Sequence, residues 1–276
     1  MPFGIRPAEM TLIAAGPHRD HFLINSKVIS AYTGSKLRHP RGCHSPMLIS
    51  HVCRFIYLKT RKTAGTSVEI YFEPFCIDPK LYDGERHNRP LEVSEWGVVG
   101  SRGSAADTWY NHMPAVRILQ LIGHETWNSY LKFCVIRNPF DKVVSWFWHT
   151  LDDRVREELV RADFSVVRNR FEEWTSRKDF PEDRFIYTIA GAPAMDEFIR
   201  YERLTSDLQR VCRRLDIPWQ PERLGRYKGE YRRRPYAFEE YYTQQSARRV
   251  EQTFAWELEY FNYSCGPTAL PEPQTS

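Results

Sequence analysis

Along the chain, the first clear block of hydrophobic positions is "CRFIYLK" (53–59), an aromatic and β-branched run that predicts a strand. "TSVEIYFE" (66–73) follows and predicts a helix that Pro74 ends. A second apolar run, "KFCVIR" (132–137), predicts another strand, and "NPFDKVVSWFWHTL" places Pro139 at a natural helix start. "SVVRNRFEEWTSR" (165–177) reads as an amphipathic helix. "DEFIRYERL" (196–204) reads as a strand leading into the helix "TSDLQRVCRRLD" (205–216). The strongest helical period runs through "TQQSARRVEQTFAWELEYF" (243–261), where Val250, Phe254, Leu258 and Phe261 recur on one face. Strands alternating with helices predict an α/β fold: one domain, with a central parallel sheet flanked by helices. The ligand of such a sheet sits at the carboxyl ends of its strands.

Residues 1–50 are rich in Pro, Gly, His and Ser, and only "HFLINSKVISAY" resembles a strand pair. They read as a partly ordered N-terminal extension, with the folded domain at 51–265 and a flexible tail at 266–276. The stretch "WGVVGSRGSAADTWYNH" (96–112) has three glycines and little period, and reads as a loop.

Composition narrows the class. Of 276 residues, 42% are hydrophobic and 14% aromatic, which suits a globular chain and not a disordered one. A net charge of +4 suits a small anionic ligand at a local basic site and does not argue for nucleic acid. The six cysteines show no CxxC pair and no metal-ligand spacing, so no metal is expected. No stretch approaches the ~20 apolar residues of a membrane span, and "MPFGIRPAEMTLIAAG" has no charged leader. A soluble, reducing, cytoplasmic setting is the simplest expectation, with no membrane partner.

Two strand-to-helix junctions carry the chemistry. In "KTRKTAGTS" (59–67) a strand opens into a turn of small and hydroxyl residues at a helix start, where backbone N–H groups and the helix dipole form an anion cradle. Gly65 admits close approach, Thr66 and Ser67 add hydroxyls, and Lys62 adds a mobile positive charge. The alternative is that Thr66 only caps the helix and Lys62 is solvated. A nucleoside-triphosphate loop would need G-x-x-x-x-G-K-(S/T), but here Lys62 precedes Gly65 and no Gly-Lys-Ser/Thr occurs, so the anion is not expected to be ATP. In "VIRNPFDKVVSWFW" (135–148), Arg137 stands at the strand end and Ser145 two turns along the helix, a fork and a hydroxyl suited to a second phosphate. Alone, this is also an ordinary strand–Pro–helix junction.

The pair of motifs, in this order and spacing, resembles the sulfotransferases that use 3′-phosphoadenosine-5′-phosphosulfate (PAPS), closest to their carbohydrate-type and bacterial branch. "KTRKTAGTSVE" looks like the loop that holds the 5′-phosphosulfate. "RNPFDKVVS" matches R-x-P-x-x-(R/K)-x-x-S with Arg137, Pro139, Lys142 and Ser145 in register. The resemblance implies PAPS as co-substrate and a P-loop-like sulfotransferase fold over about residues 51–263. It casts Lys62 as the stabiliser of the leaving oxygen. Gly65, Thr66 and Ser67 would hold the 5′-phosphate, with Arg61, Thr63 and Ala64 of the same turn among the cofactor contacts. Arg137 and Ser145 would hold the 3′-phosphate. The basic segment "YKGEYRRRPY" (227–236) resembles a family loop over the nucleotide, which implies roles for Lys228, Gly229 and one of Arg232 or Arg233. Without a family, that cluster reads as a solvated face or a single-stranded nucleic-acid site.

By the same resemblance His112 is the general-base candidate, a residue type whose ordinary pKa lies near neutrality. It competes with Glu69, with Glu73 as a weaker alternative, and a purely structural histidine is the other reading. His124 and His149 have no motif behind them. The expected reaction is sulfuryl transfer to a hydroxyl or amine of a small-molecule acceptor, in the manner of secondary metabolism, with the loop 96–112 setting acceptor choice. A carbohydrate acceptor, a nucleotide kinase and a non-catalytic nucleotide or RNA binder are the alternatives.

Overall fold

Short apolar runs become the strands of one six-stranded sheet, and the amphipathic runs become its covering helices. The computed structural model describes residues 47–84, 90–101, 108–225 and 236–266. These all belong to one compact unit, Leu37–Ser276.

In chain order, β1 (Leu48–Ser50) turns through 51–54 into β2 (Phe55–Leu58), which feeds the turn before α1 (Gly65–Phe72). A 3-10 turn, Glu73–Phe75, carries Pro74 and ends that helix. β3 (Glu92–Val93) and β4 (Gly97–Val99) pair as a hairpin. Next come α2 (Ala115–Ser129), β5 (Leu131–Ile136) and α3 (Pro139–Thr150). They are followed by α4 (Asp153–Arg161), α5 (Phe164–Arg177) and the single turn α6 (Arg184–Tyr187). β6 (Thr188–Ile189) and β7 (Ala192–Pro193) form a separate ribbon, before β8 (Glu197–Arg200) and α7 (Leu204–Arg214). The last helices are α8 (Gln244–Thr253) and α9 (Ala255–Tyr260).

The sheet order is β3-β4-β1-β2-β5-β8. β2, β5 and β8 are parallel, with Leu58 opposite Cys134 and Ile136 opposite Arg200, so their carboxyl ends share one edge. The other three strands run antiparallel to their neighbours. The sheet is therefore mixed, and the expectation of a parallel sheet is corrected for that half. A connection as short as 51–54 cannot make a parallel crossover, which needs a dozen residues or more.

One core lies between the sheet and α1 and α7, built on Phe55, Tyr57, Phe72, Phe133, Ile199 and Val211. The other joins α3, α5 and α8 through Phe147, Trp148, Phe171, Tyr241, Val250 and Phe254. Three elements depart from the sequence pattern. The strand predicted from Cys53 starts at Phe55, because residues 51–54 form the turn and Arg54 takes a left-handed φ of 55°. Gly97–Val99 is a buried strand where a loop was expected; a side chain at Gly97 would lie 2.0 Å from the Ile49 carbonyl oxygen, so only glycine lets β4 close on β1. The helix predicted over 243–261 breaks at Phe254 (φ −109°, ψ 25°), which turns that ring inward against Phe180 and Lys142. Packing overrides the periodicity there. Leu48–Ser50, inside the stretch read as an extension, pairs with both β2 and β4.

Candidate active site

The first junction is a turn under strain. Lys62 and Ala64 both hold φ of 58°, the left-handed region that costs an ordinary residue about 1–3 kcal/mol and that collects at functional sites. Left-handed residues interleaved with others swing successive N–H groups to one side and make a concave nest for an anion. Ala64 occupies the cap position of α1 and has no side-chain acceptor for the first N–H groups of the helix; the Ser67 N–H donates to the Ala64 carbonyl at 2.9 Å. The result is a patch of backbone donors at the positive end of a helix. Thr63 does not join it by its hydroxyl, which turns inward to the Thr60 hydroxyl at 2.8 Å, while Thr60 also donates to the Val135 carbonyl.

Beneath the turn lies a residue that the motif comparison passed over. Lys59, 4% exposed, sends Nζ to Glu69 Oε2 at 2.6 Å and to Thr66 Oγ1 at 3.2 Å. Its stem crosses over Gly65, where an added Cβ would lie 2.7 Å from Lys59 Cε. Gly65 thus makes room for the lysine stem. Glu69, one of the three base candidates, is wholly buried in this ion pair. Glu73 is buried at the start of the 3-10 turn.

His112 reaches the same turn from the loop before α2. It is 8% exposed, has a left-handed φ of 55°, and its Nδ1 lies 2.9 Å from the Lys59 carbonyl oxygen. A carbonyl only accepts, so Nδ1 carries the proton and the lone pair is on Nε2. Burial first, then the positive charge of Arg61, lower its pKa to about 3, against the pull of that hydrogen bond. His112 is therefore a neutral imidazole with a fixed tautomer, not a group poised near pH 7.

The second junction is built from side chains. Asn138 caps α3 by accepting the Phe140 N–H at 3.0 Å, and its Nδ2 donates to the Ser264 carbonyl at 2.9 Å. Arg137 donates through Nε to Asp141 Oδ2 at 2.7 Å and lies over the Tyr201 ring at 4.0 Å. Its Nη1 donates to the Lys62 carbonyl at 2.8 Å. The two junctions thus touch, as the shared edge of β2 and β5 requires. Ser145 is half-buried farther along α3, and Ser67 is buried in the first turn of α1.

Lys142, in register in the second motif, points inward to Asp183 at 2.6 Å. Arg61 also turns to that side: its N–H meets Asp183 Oδ2 at 2.8 Å and its guanidinium meets the Glu182 carbonyl at 2.7 Å. A cavity of about 20 Å³, room for about one water, lies among Thr60, Thr63, Arg137, Lys142, Asp183 and Glu257. Burial raises the Glu257 carboxyl above its ordinary range, and the Tyr187 hydroxyl donates to it at 3.2 Å.

A model of the sulfotransferase family matches residues 45–264. The chain belongs to the sulfotransferase family. No curated protein and no solved structure matches it. The family match spans both junctions and begins before β1, so the sheet edge that supports them is family structure too.

Within this sulfotransferase the structure brings Arg61, Lys62, Thr63, Ala64, Gly65, Thr66, Ser67 and Arg137 to one edge, with His112 packed on the same turn. His124 is exposed on α2, and His149 packs on Trp146 with ring centroids 5.5 Å apart. Lys228, Gly229, Arg232 and Arg233 lie outside the described residues. Lys59, Asp183 and Tyr201 escaped the motif comparison. Only Lys59 had a signal, a charged residue closing an otherwise buried strand run. Among the described residues, no helix is long and apolar enough to cross a membrane.

Proposed function

We propose that this sulfotransferase moves the sulfuryl group of PAPS to a hydroxyl or amine of a small-molecule acceptor, in the cytoplasm and without a metal. The observation that carries the reading is the 2.8 Å contact between Arg137 and the Lys62 carbonyl. It sets a backbone anion nest and an arginine fork side by side, as a nucleotide with phosphates at both ends of its ribose demands. The donor set fits such a ligand: N–H groups at an uncapped helix start, hydroxyls and cations suit a multiply charged anion.

When bound, PAPS supplies an already activated sulfuryl group. The protein's share is positioning and charge stabilisation. Gly65, Thr66 and Ser67 bind the 5′-phosphate end, and Arg137 with Ser145 binds the 3′-phosphate, exchanging part of its Asp141 contact for it. Lys62, half-exposed at the mouth of the turn, stabilises negative charge on the departing oxygen. His112 takes the acceptor proton at Nε2, because Nδ1 is held by the Lys59 carbonyl and Glu69 is engaged with Lys59. The cations that depress its pKa include Arg61, Lys59 and Lys142, and bound phosphate offsets them, which brings His112 closer to a working base.

Calorimetric titration with adenosine 3′,5′-bisphosphate beside ADP tests the donor before any acceptor is chosen. The bisphosphate is expected to bind at least about tenfold more tightly, since only it engages Arg137. Equal affinity, or preference for ADP with Mg²⁺, would overturn the reading.

A further inference from the structure

Asp183 sits at the cap position of α6 yet does not cap it; the side chain makes no bond to that helix's N–H groups. An aspartate there ordinarily serves its own helix. This one, 1% exposed, reaches 122 positions back along the chain to the Arg61 N–H at 2.8 Å, and to Lys142 Nζ at 2.6 Å. The Arg61 guanidinium stands 3.6 Å from Oδ1, an oxygen that is buried and accepts no hydrogen bond. One carboxylate therefore joins the first junction, through a backbone N–H, to the second, through a lysine on α3. The Arg61 N–H immediately precedes the two left-handed residues that shape the anion nest. A turn held in such dihedrals needs outside ties, because the local backbone prefers others.

We propose that Asp183 is a positioning residue for the phosphate turn, tethering the Arg61 N–H against Lys142 so that the two junctions keep the spacing a doubly phosphorylated nucleotide requires. The second half of that statement rests on the donor reading above; the tether itself does not. The competing explanation is that Asp183 only balances the buried charge of Lys142, and it predicts a different outcome once that charge is gone.

The test therefore compares two double variants of the full chain. Both carry Lys142→Met; one adds Asp183→Asn, whose amide oxygen still accepts the Arg61 N–H, and the other adds Asp183→Leu, which cannot. Amide hydrogen exchange is followed over 59–68, with α5 as the fold control. With leucine, exchange over 59–68 is expected to be at least about tenfold faster than with asparagine, while α5 is unchanged. Affinity for adenosine 3′,5′-bisphosphate is expected to fall in the same order, by about tenfold. Should the leucine not be accommodated, Asp183→Ala with Lys142→Met takes its place with the same expectation. Equal exchange over 59–68 in the two variants overturns the tether, and unequal exchange with equal bisphosphate affinity overturns its link to the ligand. If the unmodified protein does not bind the bisphosphate, the donor reading fails, and the exchange comparison still decides the tether.

Discussion

The two junctions face the same edge of the same parallel strands, yet they are made by opposite means. The first presents backbone: two left-handed residues, an uncapped helix start and a glycine, all resting on a buried Lys59–Glu69 pair. The second presents side chains: an Asn-capped helix, and an arginine already held by Asp141, Tyr201 and the Lys62 carbonyl. A backbone site is insensitive to most of its own side chains, the bare Gly65 excepted, but depends on what props it up from below. A side-chain site is the reverse, since each contact is carried by one replaceable group. Substitutions should therefore separate the junctions by kind of damage, with support residues of the first lowering stability and binding residues of the second lowering affinity.

The largest effect is expected at the one side chain of the first junction given a chemical role. Lys62→Ala should lower turnover about 10³-fold with the melting temperature unchanged, as loss of a charge-stabilising group does. A sulfuryl-transfer assay with PAPS checks it, and an unchanged rate would remove Lys62 from the mechanism. Next comes His112→Ala, expected to cost about 10²–10⁴ in turnover while bisphosphate affinity holds. Activity that survives in this variant but disappears in Glu69→Gln would move the base to α1.

Glu69→Gln sharpens the comparison from the side of stability. It leaves the buried Lys59 ammonium without its carboxylate, and breaking one side of such a pair costs about 3–5 kcal/mol, measured by urea unfolding. Arg137→Lys should instead leave stability nearly intact and weaken the bisphosphate about 10- to 100-fold in calorimetry, because a point charge cannot replace the fork. Equal stability losses in both variants would erase the distinction between the junctions.

The gentlest effect, taken per pH unit, is a slope. His112 titrates near 3 in the folded chain and near 6.5 when unfolded, so between those values the unfolded chain binds a proton that the folded one does not. Stability should therefore fall as pH drops below about 6.5, by about 1.4 kcal/mol per unit from this group. His112→Asn, whose amide can still donate to the Lys59 carbonyl and which tolerates φ of 55°, should flatten the slope in unfolding experiments between pH 4 and 7.

Much of this was legible in the chain. Runs such as "FIYL" and "FCVI" are short, apolar and followed by small or capping residues, and local propensity suffices to make them strands that end in turns. The β4 strand was not legible, because two glycines and two valines in "GVVG" carry no period, and its burial follows from Gly97 fitting under the Ile49 carbonyl. Nor was the break at Phe254, where the helical repeat continues in the sequence but packing against Phe180 and Lys142 turns the ring inward.

By itself the sequence determined that two strand-to-helix turns exist, in which order, which glycine, hydroxyl and basic residues they carry, and that neither has the G-x-x-x-x-G-K-(S/T) pattern. Those properties reside in adjacent residues, through cap chemistry, glycine and charge within a few positions. Only the tertiary structure decided which groups stand behind them: that Arg137 reaches the Lys62 carbonyl, that Lys59 lies beneath Gly65, and that Asp183 joins both turns. Partners so far apart in the chain are set by strand register and core packing, and no local spacing records them.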